Sequence, residues 1–300
     1  TEINEGEVSE IDQEDLVQRS DMVVSVTNSG YIKRVPLNMY RAQKRGGKGR
    51  AGMKTNDEDF VTQVFTASTH DNMLFFTSSG LAFKLKTWKI PESSPQAKGK
   101  AIVNLLNLKE KDRLSSILVL PEMKMDEDSD FLVFATADGS VRKNSLEDFK
   151  RIQANGKIAM KLAGDNSIVG VKLCTNDDDI LLTTKFGKCI RTPVVKLRTT
   201  KSRTSTGVRG IKLVKGDEII SISVISHTDT TSGESKTYLK MRSKEKDNDD
   251  NIDNDDSESD GSVAEVKLSN ERYDEMKAQE QFILTLTENG FGKRSSSYQF

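Results

Sequence analysis

Five stretches of this 300-residue chain repeat one arrangement of apolar and polar positions: VVSVTNSGYIKR (23–34), LFFTSSGLAFK (74–84), LVFATADGSVRK (132–143), LLTTKFGKCIR (181–191) and ILTLTENGFGKR (283–294). Each opens with a short β-branched or aromatic run, passes through a polar turn ending in glycine, and continues into a second run that carries basic residues. Glycine reaches the positive φ that tight hairpins need, so each stretch predicts an antiparallel strand pair, turning at Gly30, Gly80, Gly139, Gly187 and Gly290. Ten residues past each turn stands a bulky apolar residue: Tyr40, Ile90, Phe149, Leu197 and Phe300. A second glycine landmark, at Gly49, Gly99, Gly156 and Gly207, follows the first four turns by 17–20 residues. In three of these repeats an apolar run comes next, at 101–108, 158–162 and 210–214.

A unit of roughly 50 residues built from short strands cannot bury its apolar face alone, so neighbours must stack around a shared core. The expected fold is therefore all-β, a propeller-like disc of four-stranded antiparallel blades. Helical periodicity is scarce, and its best candidate is residues 269–281. The interval from Gly187 to Gly290 is about twice the others and contains the tract DNDDNIDNDDSESD (247–260), so residues 229–262 are expected to be an acidic, unstructured insertion. Residues 1–20 read as an acidic linker, and 21–300 as the repeat domain. The chain opens on Thr1, not Met, and reads as a piece of a longer protein; because the fifth repeat stops at Phe300, before its second landmark, one or more blades are expected beyond it.

Charge changes the picture more by placement than by sum. The net charge is −1, but residues 1–15 hold seven acids and residues 247–260 hold eight, with no base in either. Without those segments the remainder carries a net +14. Residues 31–54 contain eight Lys or Arg and no acid, and residues 185–215 contain ten and no acid. Basic residues also recur at matched offsets. Lys33 and Arg34, Lys84, Arg142 and Lys143, Arg191, and Lys293 and Arg294 fall three or four positions past the turn glycines. Lys48, Lys98, Lys157 and Arg209 lie beside the second landmarks, and Arg50 follows Gly49. Such a track predicts a rim that holds the phosphates of double-stranded DNA.

Enzyme chemistry finds little support. Gly46-Gly47-Lys48-Gly49 lacks the Ser or Thr that a nucleotide-binding loop places after its lysine. His70 and His227 stand apart from any nucleophile, and Asp126, Glu127, Asp128 and Asp130 lack the glycine and terminal glutamate of a calcium loop. Cys174 and Cys189 sit in apolar runs and read as reduced core thiols; no metal site is expected. No apolar run approaches the ~20 residues that span a bilayer.

The densest local signal is Gln43-Lys44-Arg45-Gly46-Gly47-Lys48-Gly49, where glycines let backbone amides approach a phosphate chain among clustered cations. This heptad closely resembles the gyrase box, usually written QRRGGKG, of the DNA gyrase A C-terminal domain family. The segments 23–37, 98–108, 154–162 and 206–217 resemble that family's successive blades, and IDQEDL (11–16) resembles the linker leading into them. The likeness covers nearly the whole chain outside the acidic tract. Lys44 departs from the family's arginine; it keeps the charge and loses the planar fork.

The resemblance implies a six-bladed β-pinwheel, about five blades of which are represented here. It further implies that the domain wraps duplex DNA in a right-handed sense and presents it to a type IIA topoisomerase gate for ATP-dependent negative supercoiling. No catalytic residue and no cofactor is expected in this domain; ATP and magnesium belong to the holoenzyme. The implied partners are DNA, the rest of the gyrase A subunit and the gyrase B subunit, in the bacterial cytoplasm at the nucleoid. Two other readings stand beside it. One is the C-terminal domain of the topoisomerase IV A subunit, which lacks an intact box; the other is a protein-binding propeller scaffold, which has no need of cations at matched offsets.

Overall fold

The computed structural model describes residues 14–40, 53, 59–109, 112–121, 130–201, 205–247 and 266–300. The first repeat forms β1 (Asp21–Thr27), β2 (Tyr31–Pro36) and β3 (Val61–Ser68). The second forms β4 (Asn72–Thr77), β5 (Leu81–Lys86), β6 (Lys100–Ala101) and β7 (Leu114–Leu120). The third forms β8 (Phe131–Thr136), β9 (Ser140–Ser145), β10 (Lys157–Ile158) and β11 (Ile168–Cys174). The fourth forms β12 (Asp178–Thr184), β13 (Cys189–Pro193), β14 (Val208–Arg209) and β15 (Ile219–Ser226), and the fifth the hairpin β16 (Phe282–Leu286) and β17 (Gly292–Ser296).

Every glycine-marked stretch is an antiparallel hairpin whose turn glycine has a φ between 80° and 91°. In the first three repeats the loop holds three residues, as in a turn followed by a left-handed residue. A 3₁₀ turn follows each hairpin, and in the second, third and fourth repeats the apolar residue ten past the glycine, Ile90, Phe149 and Leu197, is buried beside it.

The sheets do not coincide with the repeats. Their strand orders are β3-β1-β2-β6, β10-β5-β4-β7, β11-β8-β9-β14 and β13-β12-β15, with β16-β17 as a separate pair. After its own hairpin, each of repeats two to four crosses to the preceding sheet, adds a two-residue strand there, and returns beside its own hairpin. The second glycine landmark opens each crossing. Gly99 and Gly207 have φ values of 83° and 88°, and a Cβ on them would lie 2.5 Å from the Ile32 carbonyl oxygen and 2.4 Å from that of Val141. Only glycine lets the incoming strand approach this closely.

Apolar cores fill the spaces between successive sheets. Val24, Ile32, Met73 and Phe75 join the first sheet to the second; Leu74, Phe76, Leu132 and Phe134 join the second to the third; Val133, Ala135, Ile180 and Leu182 join the third to the fourth. Neighbouring residues of β4 and of β8 thus serve opposite cores, which is why these strands read as unbroken apolar runs and not as alternation. Phe76 meets Phe134 edge-on at a centroid distance of 5.5 Å. β7, β11 and β15 pack side by side, and with β3 they line one cleft of 300 Å³. The hub therefore lies at the return strands, and the crossing strands β6, β10 and β14 lie at the outer edge.

Two expectations need correction. The span 229–262 is not uniformly unstructured: Ser232–Asp247 forms helix α1, and helix α2 follows at Asn270–Gln279. Tyr238 of α1 and Tyr273 and Met276 of α2 enclose Tyr298 of the last 3₁₀ turn, an apolar seam that anchors a highly charged helix. Cys189 is exposed on β13 and only Cys174 is a core thiol; burial pushes the Cys174 pKa up to about 12. Among the described residues the fourth sheet has three strands and the fifth repeat two, so four-stranded blades are complete only for the first three sheets.

Candidate nucleic-acid interface

The cations past the turn glycines divide into two populations. Lys33 is 0% exposed, and its ammonium donates to the carbonyl oxygens of Ser94 (3.2 Å), Pro95 (2.5 Å) and Ala97 (2.9 Å). Arg34 donates from Nε to the Ile90 carbonyl at 2.7 Å and pairs with Glu92 at 2.8 Å. Lys84 donates to the Lys150 carbonyl at 2.9 Å. Arg142, 2% exposed, donates to the Ser205 carbonyl at 3.0 Å, and Lys143, 3% exposed, to the Val194 carbonyl at 3.1 Å and Asn176 Oδ1 at 2.7 Å. Arg191 donates to the Ser297 carbonyl at 3.0 Å while its Nε pairs with the buried Asp179 at 2.6 Å.

In each case a cation of one repeat grips backbone carbonyls of the next. Burial lowers the pKa of Lys33, Lys84, Arg142 and Lys143; for Lys84 the neighbouring Lys86 adds to the effect and Glu14 opposes it. The expectation that the matched offsets form a phosphate-binding track is corrected for Lys33, Arg142 and Lys143, whose charges are enclosed. Arg34, Lys84 and Arg191 are half-buried and spend their donors on the same stitching. The repetition arises because every repeat must hold the next one. Sequence alone does not separate this role from a surface one, since both call for Lys or Arg at constant spacing.

The second population lies along the crossing strands and on β17; Arg209, Lys293 and Arg294 are exposed, while Lys98 and Lys157 are half-buried. Arg209 is exposed on the crossing strand β14, and Lys157 begins β10, with its Nζ donating to the Asp148 carbonyl. Lys98 lies just before β6, with Nζ 3.9 Å from the Tyr31 ring centroid. All three therefore sit along the outer edge. Lys293 and Arg294 are exposed on β17, with the Arg294 guanidinium 3.8 Å from the Phe282 ring centroid. Gln43, Lys44, Arg45, Gly46, Gly47, Lys48, Gly49 and Arg50 lie outside the described residues; in sequence register Gly49 matches Gly99, Gly156 and Gly207.

Sequence reasoning missed a groove of 860 Å³ where the third repeat crosses to the second sheet. Lys84, Lys86, Lys89, Lys150, Arg151 and Lys157 line it, and no acidic residue does. Its signal is present in the sequence: Lys150, Arg151 and Lys157 flank the third repeat's second landmark as Lys44, Arg45 and Arg50 flank the first. Among the described residues no group of three or more His, Cys, Asp or Glu is arranged to hold a metal ion, and no helix is long and apolar enough to cross a membrane.

Radially stacked antiparallel sheets, stitched by exchanged strands and basic along the outer edge, define a β-propeller-type repeat domain. A family described as the DNA gyrase C-terminal domain, beta-propeller, matches residues 21–68, 71–121, 130–175, 178–226 and 281–300, one stretch per repeat and more than half of the chain. The chain belongs to this family. It is 48% identical to the DNA gyrase A subunit of Rickettsia conorii over 301 residues, covering 100% of this chain and 33% of that protein. It is 42% identical to the DNA gyrase A subunit of Staphylococcus epidermidis over 224 residues, covering 75% of this chain and 25% of that protein. The chain thus spans a third or less of these relatives' length. A solved DNA gyrase A C-terminal domain superposes with a TM-score of 0.56 at 26% identity, covering 69% of this chain and 65% of that one. The C-terminal domain of DNA topoisomerase IV reaches a TM-score of 0.58 at 23% identity over 71% of this chain and 64% of that one, a likeness of fold alone.

Proposed function

We propose that this domain holds duplex DNA by its phosphates along the outer edge and bends it around the disc, as part of a gyrase A subunit. The observation that carries this reading is the coincidence of family membership with the cationic crossing segments. These are Lys98, Lys157 and Arg209 at the edge strands, the groove beside β10, and the heptad 43–49 in the first repeat's matching sequence position. Phosphates suit such a surface because its side chains are cations on short strands and loops, with no element among the described residues shaped to enter a groove and read base edges. Recognition then follows DNA bendability more than sequence.

In this reading the holoenzyme is an ATP-dependent, magnesium-using type IIA topoisomerase in the bacterial cytoplasm. The gate and the ATPase come from the rest of the A subunit and from the B subunit, and the domain presents the wrapped duplex for strand passage. The domain itself contributes binding and curvature, with Gln43, Lys44, Arg45, Gly46, Gly47, Lys48 and Gly49 as the principal wrapping element and Arg50, Lys293 and Arg294 as further contacts.

Ligation of nicked circular DNA in the presence of the chain tests this directly. The expected result is a shift in the linking-number distribution, lost in Lys44→Ala/Arg45→Ala/Lys48→Ala at unchanged thermal stability. DNA binding with no topological shift favours simple bending, as in the topoisomerase IV reading. No salt-sensitive DNA binding at all leaves the protein-binding scaffold.

A further inference from the structure

The cationic groove beside β10 already has an anion at its border, and it comes from this chain. Glu14, in the segment that leads into the first repeat, places Oε1 2.6 Å from Nζ of Lys86, a groove-lining residue. That segment is fastened to the turn between β3 and β4. The Gln18 carbonyl accepts from Thr69 Oγ1 at 3.0 Å, the Ser20 carbonyl accepts from the Thr69 amide at 3.0 Å, and the Glu14 carbonyl lies 3.3 Å from His70 Nε2. Lys86 also donates to the His70 carbonyl at 3.1 Å, so the ammonium that meets the groove is shared between the segment and its anchor.

The groove's other charges are only partly used. Lys84 and Lys157 donate to backbone carbonyls, Lys150 lies 3.4 Å from the exposed Glu147, and Lys89 and Arg151 make no ion pair among the described residues. Lys89 instead lies 5.2 Å from the Trp88 ring centroid. Six cations with no lining carboxylate make a strongly attractive site for a polyanion, and the Glu14 carboxylate occupies the position at Lys86 that a phosphate oxygen would take.

We infer that the groove between the second and third repeats is a phosphate-binding stretch of the DNA path, and that Glu14 competes with DNA for it at Lys86. This rests on the DNA-backbone reading above and adds a consequence to it. DNA entering the groove displaces the carboxylate and loosens the segment that leads into the first repeat, so wrapping and the hold on that segment oppose each other. Residues 1–13 continue the acidic character with five further acids, which concentrates negative charge on the same segment.

Duplex affinity measured against salt for the full chain tests both parts. Lys89→Gln/Arg151→Gln, at two exposed positions, is expected to reduce the magnitude of the salt slope by about two contacts' worth, near 0.9 each. Glu14→Gln is expected to tighten binding about two- to fivefold at low salt, the value of a partly exposed ion pair. In a Lys86→Gln background the Glu14→Gln gain should shrink to what the carboxylate's weaker effect on Lys84 leaves. An unchanged slope in Lys89→Gln/Arg151→Gln, with wild-type DNA binding intact, overturns the groove. A Glu14→Gln gain undiminished without Lys86, or no gain at all, overturns the competition while leaving DNA wrapping standing. A wild-type chain that binds no duplex overturns this inference together with the reading beneath it.

Discussion

Threonine stands three residues before the turn glycine in all five repeats, as Thr27, Thr77, Thr136, Thr184 and Thr287. Its carbonyl accepts from the glycine amide at 3.0–3.1 Å in each turn. In four of the five its hydroxyl also accepts from the amide just past the glycine, at 3.0–3.2 Å. A hydroxyl that closes its own turn explains why threonine recurs where valine would serve the strand equally well. The third turn differs: Thr136 donates to Asp138 Oδ1 at 2.6 Å, and Asp138 accepts from the Ser140 amide at 3.0 Å. Desolvation alone would raise the Asp138 pKa, but these hydrogen bonds outweigh it and hold the pKa below its ordinary 3.8. A depressed folded value means that stabilisation is complete above 3.8 and disappears as pH falls through the lower folded pKa. Asp138→Asn should therefore cost about 0.5–1 kcal/mol at neutral pH, a modest figure because solvent screens the exposed carboxylate. Thermal melts of both proteins from neutral to about pH 2 should converge at the acid end; a constant gap would assign the loss to packing.

The crossing strands β6, β10 and β14 are two residues long, too short for any periodicity to register, yet the glycine that starts each one is conspicuous in the sequence. What can be read from the chain is the constraint and not the element it serves. The long hairpin strands are legible because burial on both faces makes them continuously apolar, and α2 is legible over nearly its whole length. Helix α1 is hidden because its sequence, SGESKTYLKMRSKEKD, is half charged and is held through few apolar contacts, Tyr238 above all. The groove and the buried cation clips are obscured for a related reason: a lysine that grips carbonyls and an exposed lysine look identical in sequence. The part played by the crossing glycine can be tested at the level of one strand. Gly207→Ala places a methyl 2.4 Å from the Val141 carbonyl oxygen at a φ of 88°, so β14 must move off β9. The expected loss is at least about 1–3 kcal/mol for the backbone conformation alone. Gly164→Ala, at a φ of 56° with nothing within 4 Å, carries the conformational cost without the collision. Chemical denaturation should rank Gly207→Ala well below Gly164→Ala, and equal midpoints would mean that the strand exchange contributes little.

A disc built from five repeats meets two electrostatic demands with the same two residue types. Inward, each repeat must hold its successor, and a lysine or arginine satisfies several carbonyls that the short 3₁₀ turns and crossing loops leave unpaired. Outward, a polyanion needs a line of solvated cations whose counterions are released on contact. The two populations share a sequence spacing but differ in what their removal changes. Lys143→Met takes away the donor to the Val194 carbonyl and to Asn176 while keeping much of the side-chain volume, and it leaves a buried carbonyl without its partner. Stability should fall by about 1–3 kcal/mol, with the salt dependence of DNA binding unaltered under conditions where the variant is folded. Arg209→Gln should do the reverse, leaving the thermal midpoint in place while the slope of log K against log salt becomes shallower by about 0.9. Paired melting and salt-titration curves for these two proteins separate the stitching from the interface. If Lys143→Met flattened the slope, or Arg209→Gln lowered the midpoint, the division of the basic residues into an enclosed and an outward set would be wrong.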